Sequence, residues 1–517
     1  MRQTGPSLPD PLASSGSQAS PSVEWSRAQV VLALAIVVGV LVLWVRSMSL
    51  SIWTDEAATY WIIKDGLGTA VDRALRFQGQ SPLYFALLWL SSRTLGTAEW
   101  ALRMPSAVML TLTLVVFYRL GKLWFDRQTA LFACMVLACH SAVYALQARP
   151  YALALLAETG AWYFLVRWIK RHSTWDACAY VLFAALTFYA HYVFAITCVV
   201  QLAFAWSSLR RLGAMRWTAL GAMAAGIVAL TSPGILQLHS LFLRRASLSF
   251  MPVPTQVELA TALLPLRFVD IAAVVLVLCM LLRIRLGYVW PPGRVGALWA
   301  AVWHVFPVLA LFGISRIGGA VVFVERYYLC GAPGLALLAA WVLRGLQPVD
   351  LRAWVAVVYV GLSLARPALD PGDWKGLASD VRSLVHDERT PILLPPTLIE
   401  AKQVAWLNDP EKRQYLQGPL AYYRVPGDLV PLPVGLADDD REYLATLIRE
   451  RLAPSESFIW VSGADLSAQS VWLEERLAAL PFEQAKSRSG PSFMIHSFHR
   501  THPDTTGHRQ TREAPLR

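Results

Sequence analysis

Asp55 and Glu56 stand side by side in Trp53-Thr54-Asp55-Glu56-Ala57, shortly after an apolar run at 30–45. On spacing alone, such a pair is equally an ordinary solvated stretch of loop. It gains weight because the loop that follows is apolar and suited to lie against a membrane. A carboxylate there is partly desolvated, which raises its pKa and its usefulness as a general base. One carboxylate suffices for such work if the leaving group is already good, as a phosphate is. Cationic and aromatic residues recur further on. In Gln147-Ala148-Arg149-Pro150-Tyr151, Arg149 either snorkels to lipid headgroups or grips a lipid phosphate, with Tyr151 hydrogen-bonding to it. His191-Tyr192 is either packing or a polar contact. In Glu325-Arg326-Tyr327-Tyr328, Arg326 is a second phosphate contact unless Glu325 pairs with it. Glu158 sits inside an apolar run, where a carboxylate is a functional candidate by default and otherwise a neutral or paired acid between helices.

The elements that must position these residues are membrane spans. Of 517 residues, 56% are hydrophobic and 16% charged, against roughly 25% charged in soluble domains. The expected architecture is a polytopic α-helical membrane protein with a small C-terminal α/β domain. The formal charge of +11 comes largely from short loops between spans, so inside-positive topology accounts for it and nucleic acid is not implied as a partner. All six cysteines fall in apolar runs, so no disulfide framework is expected. Residues 1–27 read as a disordered cytoplasmic tail. The apolar run after them is too long for a signal-peptide core and reads as a retained anchor.

The expected spans are 30–45, 104–121, 128–146, 151–168, 176–190, 193–209, 218–238, 268–282, 295–314, 327–343 and 353–369, about eleven in all. The apolar block 82–90 is left out. Nine helical residues reach about 14 Å, against a hydrocarbon core of about 30 Å, so it reads as an interfacial helix. Ile63, Leu67, Val71 and Leu75 suggest a second amphipathic helix in the same loop, 49–103. With this parity Arg119, Lys122, Arg127, Arg167, Lys170 and Arg171 fall inside, as do Arg210, Arg211, Arg216, Arg283, Arg285, Arg294, Arg344 and Arg352. Beyond the first loop, the outside segments between spans carry only Arg149, Arg244, Arg245, Arg267, Arg316 and Arg326. If 82–90 crossed the membrane, this bias would invert. Asp55, Glu56, Arg149, Tyr151, His191, Tyr192, Arg326 and Tyr327 then share one face, the outer one, although they come from distant parts of the chain.

From residue 370 the composition changes. Helices are expected at 373–385, 398–407, 440–452 and 467–480, and strands at 391–394, 421–425, 457–461 and 492–498. The organisation is therefore a tail (1–27), a membrane domain (28–369), an extracytoplasmic α/β domain (370–500) and a polar tail (501–517). No Cys/His spacing suggests zinc, and the external segment 239–267 is expected to offer no hard oxygen ligands, so no metal is called for. No Walker loop or glycine-rich nucleotide fingerprint is present, and no other cofactor is implied.

Seven motifs stand in order: Trp53-Thr54-Asp55-Glu56-Ala57, Ser81-Pro82-Leu83-Tyr84, Ala101-Leu102-Arg103-Met104-Pro105-Ser106, Ala148-Arg149-Pro150-Tyr151-Ala152-Leu153, His191-Tyr192, Glu325-Arg326-Tyr327 and Asp373-Trp374-Lys375. On these, the chain resembles bacterial members of the protein O-mannosyltransferase and aminoarabinose-transferase superfamily, the GT-C glycosyltransferases, over roughly residues 30–385. The resemblance implies a polyprenyl-phosphate-sugar donor, inverting transfer on the outer face of the inner membrane, and a catalytic acid in the first external loop. That acid falls on Asp55, with Glu56 as the adjacent acid of the same motif. Arg103, Arg149, Tyr151, His191, Tyr192, Arg326 and Tyr327 become substrate-side candidates. Metal-using relatives carry acidic ligands in a second loop, so the resemblance places this chain nearer the metal-independent branch. The acceptor is not specified: lipid A or core oligosaccharide, another envelope glycan, or a protein. Two rival readings are a lipid-linked-glycan flippase or secondary transporter, and a non-catalytic envelope assembly protein. Against the first, no inverted repeat or matched pair of broken helices is found. The second gives no account of an acidic loop opposite basic residues.

Overall fold

Long apolar runs become helices because in lipid every backbone polar group must be satisfied within its own segment. In the computed structural model, which describes residues 27–78, 80–209, 214–243, 252–318, 321–365, 372–463, 468–489 and 493–501, the chain forms two units. One comprises Met1–Leu50 and Ile62–Leu369; the other joins Ser51–Trp61 to Asp370–Arg517. The expected N-terminal tail lies outside the described residues except for Arg27, and the C-terminal tail except for Thr501.

The helices run in order α1 (Arg27–Met48), α2 (Thr54–Ile63), α3 (Leu67–Arg73), α4 (Leu83–Leu95), α5 (Glu99–Trp124), α6 (Arg127–His140), α7 (Ala142–Ala145), α8 (Tyr151–Arg171) and α9 (Thr174–Ala190). They continue with α10 (Thr197–Leu209), α11 (Ala214–Leu243), α12 (Gln256–Leu263), α13 (Leu266–Leu281), α14 (Arg294–Ile317), α15 (Glu325–Tyr328), α16 (Ala332–Arg344) and α17 (Asp350–Ala365). Among the described residues each expected span coincides with helix; residues 366–369 of the last lie outside them. The segments 128–146, 193–209 and 327–343 are broken, the last into α15, a single 3₁₀ turn and α16. Among the described residues, six helices are individually long and apolar enough to cross a membrane, or seven if α12 and α13, bent by 59°, count as one. The other expected spans are shorter, down to the 13 residues of α10.

The first loop differs from expectation in one place. The periodicity through residues 63–75 predicts one helix, but Gly66 adopts φ +123°, a conformation that ends the helix before it and lets α3 start afresh. The apolar block 82–90 becomes α4, whose 13 residues reach about 20 Å, short of a bilayer core.

In the second unit, α18 (Trp374–Arg382), α19 (Val404–Asn408), α20 (Pro410–Leu416), α21 (Gly418–Tyr422), α22 (Asp438–Leu447) and α23 (Ala468–Leu477) accompany a sheet. Two short strands of the membrane unit, β1 (Gly287–Tyr288) and β2 (Leu346–Gln347), pair with each other. The sheet itself holds β3 (Pro391–Leu394), β4 (Asp428–Pro431), β5 (Ser457–Gly463), β6 (Phe482–Ser489) and β7 (Phe493–Arg500), in the order β4-β3-β5-β7-β6. The first three are parallel and the last two antiparallel. Period-2 alternation sorts the strand side chains. Ile392, Leu394, Ile459 and Val461 pack with Trp374, Leu377 and Val381 of α18. Leu393, Phe458 and Trp460 pack with Leu444 and Leu447 of α22 and with Leu473 and Leu477 of α23. Both faces of the sheet are thus covered by helices.

Two expected elements are corrected here. The strand at 421–425 is absent. Gly418 at φ +55° and Pro419 start the short helix α21 instead, and Arg424 at φ +52° turns the chain toward β4. The helix at 398–407 is interrupted at Gln403, whose backbone is extended. Asp409 caps α20: its carboxylate accepts from the backbone N–H of Lys412 and Glu411, which holds it below the usual carboxylate range.

Candidate functional site

Asp55 and Glu56 occupy the first turn of α2, where a helix N-terminus favours negative charge. The two acids are not equivalent. Glu56 is fully buried, and its Oε2 accepts the backbone N–H of Trp53 at 3.0 Å. That contact is the returning half of a capping box, so the geometry gives Glu56 a role in closing the helix end. Asp55 is half-buried, and its side chain does not make that capping contact.

Within the second unit, this acidic segment is held by residues far away in sequence. The Ile52 backbone N–H donates to the Tyr423 hydroxyl at 2.8 Å, and that hydroxyl lies 3.3 Å from Ser51 Oγ. The Lys375 backbone N–H donates to Ser51 Oγ at 2.9 Å. Tyr60 and Trp61 pack edge-on against Tyr422 and Tyr415, with ring centroids 5.0 and 5.3 Å apart. Lys375 belongs to the Asp373-Trp374-Lys375 motif, and Asp373 caps α18 through the Gly376 N–H. The motif therefore provides a docking point for the chain just ahead of Asp55. Sequence reasoning did not find Tyr423. It falls within the expected strand 421–425, which gives it no role. Replacing Tyr423 by Phe removes one hydroxyl contact at each of two partners. On the transfer reading argued below, it should lower kcat by about 3- to 10-fold with donor KM little changed. Steady-state kinetics beside Tyr423→Ala checks this, and an unaltered kcat in both variants would exclude the role.

In the membrane unit, other predicted residues gather around His191. This residue caps the C-terminus of α9 and is buried. Its ring lies 5.4 Å from Tyr151, 5.4 Å from Tyr327 and 5.2 Å from Phe194. The charges of Arg149 and Arg326 both act on it. Arg149, Tyr151, His191, Arg326 and Tyr327 thus share one neighbourhood, drawn from the α7–α8 link, α8, the end of α9, and α15. Arg149 is only 6% exposed, and its Nη1 donates to Gln78 Oε1 at 3.0 Å.

Two sequence motifs fix that neighbourhood. Ser106 Oγ donates to the Gln147 carbonyl at 2.7 Å, and Tyr84 OH lies 3.0 Å from the same Oγ. Because the serine has one proton and gives it to Gln147, Tyr84 is the donor in that pair. The Ser81–Tyr84 and Ala101–Ser106 motifs therefore position the backbone just ahead of Arg149. Glu325, the possible partner of Arg326, accepts from Tyr144 at 3.0 Å.

Three further predicted residues lie outside this group and have their own hydrogen-bond partners. Arg103 Nη1 donates to the carbonyls of Leu50 at 2.6 Å and Met48 at 3.0 Å, which satisfies the C-terminus of α1. Tyr192 OH donates to Gln237 Oε1 at 2.6 Å, and the Gln237 amide in turn reaches the Gln80 carbonyl. Glu158 is fully buried, and its Oε1 accepts from Trp303 Nε1 at 2.5 Å. It lies seven residues beyond Tyr151 on α8, about 10 Å along the axis.

The expectation of an acid-free segment at 239–267 overlooked Glu258. Its carboxylate forms a capping box with Thr255, accepting the Thr255 N–H at 2.6 Å, and those hydrogen bonds hold it below the usual range. Among the described residues, no group of three or more His, Cys, Asp or Glu side chains is placed to hold a metal ion.

Residues 79–236 match the family model described as dolichyl-phosphate-mannose-protein mannosyltransferase. Among solved structures, the chain is similar to ArnT from Cupriavidus metallidurans bound to undecaprenyl phosphate. The TM-score is 0.55 at 13% identity, over 91% of this chain and 98% of that one. The same protein in the apo state gives a TM-score of 0.51 at 12% identity, with the same coverage. No curated protein matches the chain by sequence.

Proposed function

We propose that this chain, a membrane protein with the fold of GT-C glycosyltransferases, moves a sugar from a polyprenyl-phosphate carrier to an acceptor on the outer face of the inner membrane. The observation that carries the reading is the gathering of Arg149, Arg326, Tyr151 and Tyr327 around His191. It lies in a fold shared with a protein crystallised with undecaprenyl phosphate. Two guanidiniums and two phenols suit the oxygens of a lipid phosphate.

The steps follow from the chemistry of the groups. Arg149 and Arg326 hold the donor phosphate, with Tyr151 as a hydrogen-bond donor. Asp55 takes the proton from an acceptor hydroxyl or amine. The freed lone pair attacks the anomeric carbon in line, forming the new glycosidic bond with inversion. The bond from that carbon to the phosphate oxygen breaks, and polyprenyl phosphate leaves with its developing charge met by arginine. The metal-independent course is part of this proposal. Acceptors of the lipid A, core-oligosaccharide, envelope-glycan or protein class all offer such a nucleophile.

The test is transfer from a panel of radiolabelled polyprenyl-phosphate sugars by purified protein in liposomes with an envelope extract, with and without chelator. Label moving from one donor to an acceptor, undiminished by chelator, is expected. Label crossing the bilayer without transfer from any donor would replace the reading with a flippase.

A further inference from the structure

The donor site accounts for one end of α5; the other end carries a feature that the transfer reaction does not use. Between α5 and α6 runs an open groove of about 540 Å³, lined by Leu114, Val115 and Leu131 and, toward the C-terminal end of α5, by Tyr118, Arg119 and Lys122. No carboxylate lines it. Among the described residues, no acidic partner is recorded for Arg119 or Lys122, and the Lys122 ammonium rests 5.6 Å from the centroid of the Tyr118 ring. Other cations are occupied: Lys170 by the Leu123 carbonyl at 2.8 Å and Arg344 by Asp126 at 3.3 Å. The helix dipole and the inside-positive bias explain a cation in the last turn of α5. They do not explain an apolar channel leading up to two of them.

Depth fixes the leaflet. Ser106, bonded to Gln147 beside Arg149, and Lys122 are sixteen residues apart on α5, about 24 Å along the axis. That approaches the thickness of the hydrocarbon core. The cationic end of the groove therefore meets the leaflet opposite Arg149.

We propose that this groove binds an anionic membrane phospholipid from that opposite leaflet. Its phosphate diester sits on Arg119 and Lys122, the Tyr118 hydroxyl is within its headgroup zone, and an acyl chain lies along Leu114, Val115 and Leu131. A zwitterionic headgroup fits less well, because its ammonium would meet two like charges and no carboxylate. The site is independent of the donor chemistry and stands whether or not sugar transfer is found.

The test is native mass spectrometry of the full-length protein after exchange into equimolar phosphatidylglycerol and phosphatidylcholine of matched chains. Retention of phosphatidylglycerol over phosphatidylcholine by about 10-fold is expected from two cations near the surface. Arg119→Gln with Lys122→Gln should abolish most of that preference, and Arg171→Gln, outside the groove, should not. Val115→Trp and, separately, Leu131→Trp fill the groove and keep its charge; either should also lower retention in protein that remains monodisperse. No preference in the wild type would overturn the proposal. So would loss with the charge variants while both tryptophan variants retain lipid, since that is surface charge without a groove. Displacement of phosphatidylglycerol by undecaprenyl phosphate at equal concentration would overturn the choice of occupant.

Discussion

Asp55→Asn is expected to lower transfer by about 10²- to 10⁴-fold while leaving expression and folding intact, because a positioned general base contributes an effect of that order. The substitution is nearly isosteric; it removes the carboxylate's charge and its capacity to take a proton. It also spares the helix end, since the capping contact to Trp53 belongs to Glu56. Glu56→Ala makes the complementary prediction. It should cost roughly 1 kcal/mol of stability through the lost cap, with residual activity per folded molecule well above that of Asp55→Asn. Single-turnover transfer with a radiolabelled donor, normalised to folded protein by size-exclusion chromatography, separates the two. Wild-type turnover in Asp55→Asn would remove Asp55 from the chemistry, and equal losses in both variants would mean that the whole turn is structural.

Arg149→Ala should reduce kcat/KM for the lipid donor by about 10² to 10³. Removing one preorganised charge stabiliser from a site shielded from water has an effect of that order. Arg149 is almost wholly buried and aligned by Gln78, so little of its interaction with a phosphate would be screened by solvent. Arg149→Lys keeps the charge but loses the planar fork, and should recover only part of the activity. Inhibition by free polyprenyl phosphate should weaken in parallel with donor use if the residue holds the phosphate. Weakened turnover with undiminished product inhibition would instead place Arg149 away from the phosphate, as a packing residue of the α7–α8 link.

Much of this organisation was legible because it is periodic. Apolar runs of helical length located every expected span, and the short continuous apolar run Pro391-Ile392-Leu393-Leu394 announced a buried strand. Elements lacking that signal were missed. β6 is rich in polar and charged residues, as suits an edge strand paired on one side only. Gly66 and Gly68 weaken the 63–75 pattern in the sequence, but side-chain periodicity alone does not place the break that Gly66 makes. For the candidate site, residue type found the members but not their neighbours. Arg149 and His191 were recognisable as polar groups at span ends. The chain of contacts from Tyr84 through Ser106 to Gln147 depends on three segments meeting in space, which spacing along one segment does not encode. Arg103 shows the converse: a conspicuous arginine in a motif whose guanidinium meets the carbonyl ends of α1.

The docking of Ser51 on Lys375 spans 324 residues, and this has a consequence for how the protein comes into being. Ribosomes add about 5 to 20 residues per second. The acidic segment therefore waits roughly 15 to 65 seconds after it is made before its supporting partners exist. During that interval the nascent chain can hold membrane helices without a settled environment for Asp55. A chain terminated near residue 370 would be left permanently in that state: inserted in the bilayer, but without the partners that hold the segment ahead of Asp55, and so, on the proposed function, silent in transfer.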